Sequence, residues 1–263
     1  MYPILFHHGD FLLSSWHVMY VLGALAAYGS MFLLSKQVAQ DIKPDDLSQM
    51  FVVCYVAGYL GARLLSIIVE EPHVTGVLET GLALLRLGPM TFYGGAISAF
   101  CAGSLFCFFR RVSYGDMVDL GLISGLLALS IGRVGCFLNG DDYGRPVTLG
   151  ADNIFRGLGV IFPVLEDGIP RWPVQLFEAV AVFVVVLVMA SVKLHKRARP
   201  GMVALLSVIL YANLRFWFEF LRDDFRGFVF GTWLSTSQFI ALITLSIAGL
   251  ISFFLLGKKK ANL

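Results

Sequence analysis

Charge is what this chain has least of. Only 14% of its 263 residues are charged, while 57% are hydrophobic; soluble domains carry about 25% charged residues. That scarcity excludes an ordinary soluble domain. Cysteine is scarce as well. Cys54, Cys101, Cys107 and Cys136 show no C-x-x-C spacing, and all four lie inside apolar runs. Neither a disulfide framework nor a zinc site is expected, and no metal or other cofactor. The opening MYPILFHHGDF lacks a basic stretch and a small-residue cleavage site, so no cleavable signal peptide is expected. The formal net charge of +2 says little by itself, and no nucleic-acid partner is expected.

Long apolar runs are what the chain has instead, with a mean hydropathy of +0.78. Crossing a hydrocarbon core takes about 20 apolar residues. Seven segments qualify, at roughly 15–35, 47–69, 91–109, 117–138, 173–192, 201–222 and 233–256. The expected fold class is therefore an all-α polytopic membrane protein with seven transmembrane helices, forming one domain over residues 1–263. Basic residues set its orientation. Every lysine follows the first segment (Lys36, Lys43), separates the fifth from the sixth (Lys193, Lys196) or ends the chain (Lys258, Lys259, Lys260). Arg110, Arg111, Arg197 and Arg199 fall on the same side, whereas the opposite loops hold more acid, as in Glu70-Glu71-Pro72. The excess of lysine and arginine in cytoplasmic loops then puts the N-terminus outside and the C-terminus in the cytoplasm.

With that topology the intramembrane polarity gathers in the outer half. Arg63, Arg133, Arg215, Glu219 and Arg222 lie near the outer ends of outward-running helices. Trp16, His17, Tyr93, Gln175 and Glu178 lie in the first turns of inward-running ones. Asp119 is the exception, in the first inner turn of its helix. A charge near the bilayer centre costs at least about 2.5–3.5 kcal/mol on insertion scales. Near the interface snorkelling removes much of that, which would by itself explain Arg63 and Arg222. The sixth segment needs more explanation. Tyr211, Arg215, Glu219 and Arg222 recur at spacings that place them on one helical face. Converging guanidiniums offer a phosphate fixed charge and paired donors, so the expected ligand is an anionic lipid headgroup in the outer leaflet of the inner membrane. Two further stretches stand out. GPMTFYGGAIS carries Gly94 and Gly95 behind Tyr93, a pattern that tight helix packing also explains. IGRVGCFLNGDDYGRP places an arginine, Asn139 and two aspartates directly behind an apolar run, with Asn139-Gly140 as a turn pair.

These stretches together resemble the prolipoprotein diacylglyceryl transferases of bacterial inner membranes. GRVGCFLNGDDYG is similar to that family's Gly-Arg-x-Gly-Asn-Phe-x-Asn-Gly-Glu-x-x-Gly signature, and MTFYGGAI to its SFHGGL segment. WHVMYVLG, GARL, RWPVQLFEA and LYANLRFWFEFLR also find counterparts, in order, over nearly the whole chain. The resemblance implies transfer of the diacylglyceryl group of phosphatidylglycerol to the lipobox cysteine of a preprolipoprotein signal peptide, with glycerol phosphate released. It implies a multi-pass enzyme of the bacterial inner membrane, among membrane lipids, with its site toward the outer leaflet. By position it makes Arg133 and Arg215 headgroup ligands and catalytic residues, with Asn139, Asp141, Tyr211, Glu219 and Arg63 also on the lipid. Asp119, Gly94, Gly95, Gly144, Arg171 and Arg222 are matched as supporting residues.

The chain departs from the pattern at several places. Tyr93 stands where the family has a histidine, Cys136 replaces the signature asparagine, Asp141 the glutamate, Trp172 a histidine and Trp16 a tyrosine. A relative that uses the same lipid with another acceptor, or that only binds or transports lipid, stays open. A phenol titrates near about 10, so Tyr93 is an indifferent base at neutral pH. The expectation is that the field of the arginines activates the incoming thiol and that Tyr93 orients lipid or acceptor through its hydroxyl.

Overall fold

The computed structural model describes all residues except 1–2, 9–10, 72, 87, 89, 151–152, 196–197, 225–233 and 262–263. Pro72, Lys196 and Arg197, which entered the orientation argument, lie outside the described residues.

Among the described residues seven helices are long and apolar enough to cross a membrane. In chain order these are α1 (Ser15–Val38), α2 (Pro44–Glu70), then, after the short α3 (Val77–Leu85), α4 (Phe92–Arg110), α5 (Tyr114–Asn139), α6 (Val174–His195), α7 (Met202–Phe218) and α8 (Thr236–Ala261). The seven expected spans are all present. The structure adds α3 and two short antiparallel ladders, Ile4–His8 with Phe11–Ser14 and Val160–Ile161 with Pro170–Arg171. These ladders depart from a purely helical reading for a simple reason. They lie outside the apolar spans, where no hydrophobic run betrays an element and backbone groups still need partners.

Local signals set the helix ends. Ser14 caps α1, its hydroxyl accepting from the backbone N–H of His17 at 3.3 Å, which satisfies one of the open donors of a first turn. Pro44 sits in the first turn of α2 with Asp45 and Asp46, where a missing N–H is harmless and negative charge suits the helix dipole. Leu, Val, Phe and Ile side chains cover the outward faces, as with Val180, Val184 and Leu187 on α6. That pattern fits a lipid-facing surface.

Helix α2 packs antiparallel against α4 through backbone contact. A Cβ on Gly94 would stand 2.3 Å from the carbonyl oxygen of Gly61, and one on Gly95 3.1 Å from that of Gly58. Gly94 and Gly95 therefore serve packing, which lets neighbouring helices approach closely in a membrane. The same contact places the first turn of α4, with Tyr93, beside the last turns of α2.

At the opposite end of the bundle Asp119 is fully buried on α5. It accepts from Lys193 Nζ at 2.7 Å and from the backbone N–H groups of Ala204 at 2.7 Å and Gly201 at 3.1 Å. Asp116 holds the same lysine at 2.8 Å. Asp119 thus fastens α5 to α6 and caps the start of α7. It lies roughly 20 Å along α5 from Arg133, by the rise per residue of a helix.

Candidate active site

The site is built by the way α5 ends. Gly140 adopts φ 91° and its N–H bonds the carbonyl of Cys136 at 2.9 Å, and Asp141 N–H bonds the same oxygen at 3.1 Å. A left-handed C-cap of this kind favours glycine. Asp142 follows with φ 61°, an uncommon conformation that aspartate tolerates better than most residues. The two left-handed steps fold the chain back over its own helix, so the Asp142 carboxylate reaches Arg133 at 2.6 Å. The next residues are stitched to two other segments. Gly144 N–H bonds the Trp172 carbonyl at 3.1 Å, Arg145 N–H bonds Leu221 at 2.8 Å, and Asp223 N–H bonds Tyr143 at 3.2 Å. At Gly144 a Cβ would meet the Trp172 carbonyl at 2.4 Å, so only glycine fits between the strands.

This stitching brings the ends of α5 and α7 onto the start of α6. Glu178 stands between them. Its Oε2 lies 2.7 Å from Arg133 Nε, and its Oε1 lies 3.2 Å from Arg215 Nη1. Arg215 also meets Glu219 Oε2 at 2.6 Å and donates to Ser237 Oγ, at the start of α8, at 2.9 Å. Arg222 meets Asp142 Oδ1 at 2.6 Å and donates to Asp224 through Nε and Nη2, both at 2.8 Å. The pairs at Glu178 Oε2 and Glu219 Oε2 hold by distance alone, since neither oxygen receives an aligned N–H. All these guanidiniums are nearly withdrawn from solvent, a position that demands partners.

Three arginines thus share four carboxylates: Glu178, Glu219, Asp142 and Asp224. The sequence reading expected an excess of positive field at this place, and the structure corrects it. Each guanidinium is already compensated. Arg222 lies beyond the last helical residue. Burial opposes its charge most strongly, yet hydrogen bonding to Asp224 and the nearby Asp142 and Glu178 carboxylates hold its pKa above the usual guanidinium value. The expected stripe on one helical face is corrected too. The α-helix stops at Phe218, residues Glu219–Leu221 form a 3₁₀ turn, and Arg222 is extended. This break in the helix delivers Arg222 to Asp142.

Tyr211 joins the same cluster, interacting electrostatically with Arg133, Glu178, Arg215 and Tyr93. Tyr93 packs its ring against Phe92 with centroids 5.5 Å apart, and Phe92 meets Tyr211 at 6.1 Å. Asn139 donates to the Asp141 carboxylate, and Gln175 on α6 donates to the Asp141 carbonyl. Asp141 therefore shapes the turn, and its neighbour Asp142 makes the ion pairs.

Two expected arginines have partners of their own. Arg63 is buried, donates through Nε to the Ala83 carbonyl at 3.1 Å and pairs with Glu71. A Cβ on Gly88 would stand 2.7 Å from its guanidinium carbon. Arg63 thus ties α2 to α3 and to the chain leading into α4; it does not snorkel. Its hydrogen bond holds the Glu71 carboxyl below its ordinary pKa. Arg171 pairs with Asp167 at 2.8 Å and with Asp223, and its guanidinium lies 5.1 Å above the Tyr143 ring. The hydrogen bond from Arg171 likewise holds Asp167 below the usual carboxylate range. Asp119 takes no part in the cluster.

Sequence reasoning placed Glu178 near the start of its helix, as observed, but gave it no role, and it passed over Asp142 and Ser237. A glutamate within an apolar run was the available signal for Glu178. For Asp142 there was none, because only the left-handed turn distinguishes it from Asp141.

Comparison with known proteins identifies the family. Residues 3–255 match the family described as Prolipoprotein diacylglyceryl transferase, and the chain belongs to that family. It is 33% identical over 252 residues to a phosphatidylglycerol–prolipoprotein diacylglyceryl transferase of Clostridium tetani, covering 94% of this chain and 95% of the relative. Proteins of the same name from Helicobacter hepaticus and Cupriavidus necator are 27% and 30% identical, covering 98% and 93% of this chain and 90% and 91% of their own.

Proposed function

We propose that this chain transfers the diacylglyceryl group of phosphatidylglycerol to the thiol of a lipobox cysteine in a prolipoprotein signal peptide, releasing glycerol phosphate. Residues 1–263 act as one unit in the bacterial inner membrane, with the N-terminus outside, the C-terminus in the cytoplasm and the Arg133 cluster toward the outer leaflet. The observation that carries this reading is the meeting of Arg133, Arg215 and Arg222, from three separate stretches, at the end of the bundle.

The chemistry asks for that meeting. Sulfur attacks the glyceryl carbon that bears the phosphate ester. A C–S bond forms, the C–O bond breaks, and its electron pair stays on the phosphate oxygen of the departing glycerol phosphate. The thiol proton leaves to water. The leaving phosphate gains negative charge as the bond breaks, so guanidiniums fixed beside it bind the transition state more strongly than the lipid. Arg133 and Arg215 hold the phosphate in this reading, with Arg222 beside them. Glu178 orients the first two, and Glu219 positions Arg215. Asn139 and Asp141 set the turn over the headgroup, and Tyr211 and Tyr93 line the approach. Arg63, Arg171, Gly94, Gly95, Gly144 and Asp119 hold the frame.

The incoming thiol has an unperturbed pKa of about 8.5, so a fraction is thiolate near neutrality. Purified protein given phosphatidylglycerol and a lipobox peptide in detergent tests the proposal. Release of glycerol phosphate with a thioether product supports it. Lipid binding without release would make the chain a lipid-binding protein, and release with a non-thiol acceptor only would redefine the substrate.

A further inference from the structure

Asp142 occupies a peculiar position. Its two carboxylate oxygens are split between two guanidiniums from different elements, Oδ2 to Arg133 Nη1 and Oδ1 to Arg222 Nη2, both at 2.6 Å. Its backbone is left-handed, with φ 61°, so the turn spends conformational energy to put the carboxylate there. Arg222 is meanwhile left with a buried Nη1 that no acceptor among the described residues bonds; Glu178 Oε2 stands 4.0 Å from it. An anion that bridges two guanidiniums while one buried donor goes unused resembles a stand-in for a ligand with more oxygens.

We propose that Asp142 is a specificity-determining residue that occupies the phosphate seat in the lipid-free protein and is displaced from it by the phosphodiester of the lipid. This rests on the reading that Arg133 lies on the headgroup. The exchange is balanced in charge, because a carboxylate and a phosphodiester each carry one negative charge. A phosphodiester offers further acceptors for Arg222 Nη1, so the incoming anion satisfies a donor that Asp142 leaves open. A headgroup without an anion cannot make the exchange, since Arg133 and Arg222 would lose their shared carboxylate and keep only Glu178 and Asp224 between them. Asp142 also keeps the arginines paired between turnovers. Its position three residues beyond the helix, on a turn held by Gly140, gives it a hinge on which to swing away.

Occupancy by an internal competitor weakens apparent affinity by the fraction of time the seat is open. If Asp142 fills the seat about nine-tenths of the time, its removal strengthens apparent binding about tenfold. The test uses the full-length protein in neutral-detergent micelles, as wild type, Asp142→Asn and Asp142→Ser, two variants that remove the charge in different ways. Initial rates are measured against phosphatidylglycerol with a lipobox peptide, and inhibition is measured with glycerol phosphate and separately with inorganic phosphate.

The proposal expects both KM for phosphatidylglycerol and the inhibitory concentration of glycerol phosphate to fall in the variants. A fall for inorganic phosphate but not for the lipid would mean that the seat takes free phosphate, and would overturn the headgroup assignment. If KM and the inhibitory concentrations rise in the variants, Asp142 positions the arginines and the proposal is wrong while the activity stands. If either variant fails to fold, the other is read; if both fail, glycerol phosphate failing to protect the wild-type protein against heat overturns the proposal, and protection that rises when Asp142→Glu lengthens the competitor does the same. A wild type that consumes no phosphatidylglycerol under any of these conditions would overturn the proposed function itself.

Discussion

Glu178 on α6 stands 2.7 Å from Arg133 on α5, and the other oxygen of the same carboxylate reaches Arg215 on α7 at 3.2 Å. One side chain therefore fixes the spacing of two guanidiniums that sequence separates by more than eighty positions. Truncating it takes one carboxylate from each of two buried guanidiniums and leaves Arg133 with Asp142 and Arg215 with Glu219. Breaking a buried pair in this way costs about 3–5 kcal/mol. Glu178→Ala is expected to lower the melting temperature in detergent sharply, and Glu178→Gln, which keeps shape and an acceptor, to lower it less. Both should depress turnover, and a Glu178→Gln enzyme with wild-type kinetics would remove Glu178 from the site.

Arg133 and Arg215 make a stricter test because lysine keeps the charge. A guanidinium fork shares its donors between carboxylate and ligand in fixed directions, whereas an ammonium is a point charge. Losing one charge-assisted hydrogen bond, about 1.5–3 kcal/mol, corresponds to a loss of roughly tenfold or more in rate. Arg133→Ala and Arg215→Lys are each expected to lose at least that much in glycerol phosphate release at unchanged protein level. Near-normal release from either variant would free that arginine of the role assigned to it.

How much of this was open to sequence reading depended on how far each signal reached. The seven spans were legible because an apolar run of membrane length leaves few alternatives for a backbone that must satisfy its own hydrogen bonds. Gly94 and Gly95 were legible as packing residues for the same reason, since small residues in such a run mark close approach. The clustering of Arg133 with Arg215 followed from counting crossings. Arg63 was placed at a comparable depth, yet its partner Glu71 lies in a loop whose path no periodicity reveals. Arg222 was misplaced in conformation because helical spacing continues in the sequence where the helix itself stops, at Phe218. Asp142 was invisible because backbone handedness, not residue type, separates its role from that of Asp141.

Acid should loosen the α2–α3 junction. The Glu71 pKa is lowered chiefly by the hydrogen bond from Arg63, so the pair contributes stability above the ordinary carboxylate pKa, which is fully present at neutral pH. As pH falls below that value toward the depressed pKa of the folded protein, the contribution is lost. Hydrogen exchange of residues 77–85 is expected to accelerate in this acid window in the wild type. In Glu71→Gln the exchange should already be fast at neutral pH and show no further step there; an acid step of unchanged size would assign it to another group.

The orientation proposed here rests on lysine and arginine positions. A single cysteine placed at Ala198, between α6 and α7, should resist a membrane-impermeant maleimide in intact cells and react once the membrane is opened. One placed at Gly150, in the loop between α5 and α6, should react from outside. Labelling in the reverse pattern would put the Arg133 cluster on the cytoplasmic face.

Tyr93 tests how the thiol is prepared. Its ring reaches Tyr211 through Phe92, and Tyr211 interacts with Arg133, Glu178 and Arg215; the proposed function puts its hydroxyl on the approach to the cluster. Among the described residues, carboxylates balance the charge of those arginines. The same balance removes any strong pull on the incoming thiol, whose own pKa of about 8.5 then governs the rate. Turnover should therefore rise with pH as the thiol ionises, in wild type and in Tyr93→Phe alike. A lost neutral hydrogen bond of about 0.5–1.5 kcal/mol predicts a reduction of roughly two- to tenfold in Tyr93→Phe, with the pH profile unchanged in shape. Tyr93→His should retain activity, because an imidazole also offers a donor from that position. If Tyr93→Phe instead abolishes turnover, and the wild-type rate climbs with an apparent pKa above that of the peptide thiol, the phenolate takes the proton and Tyr93 is the base.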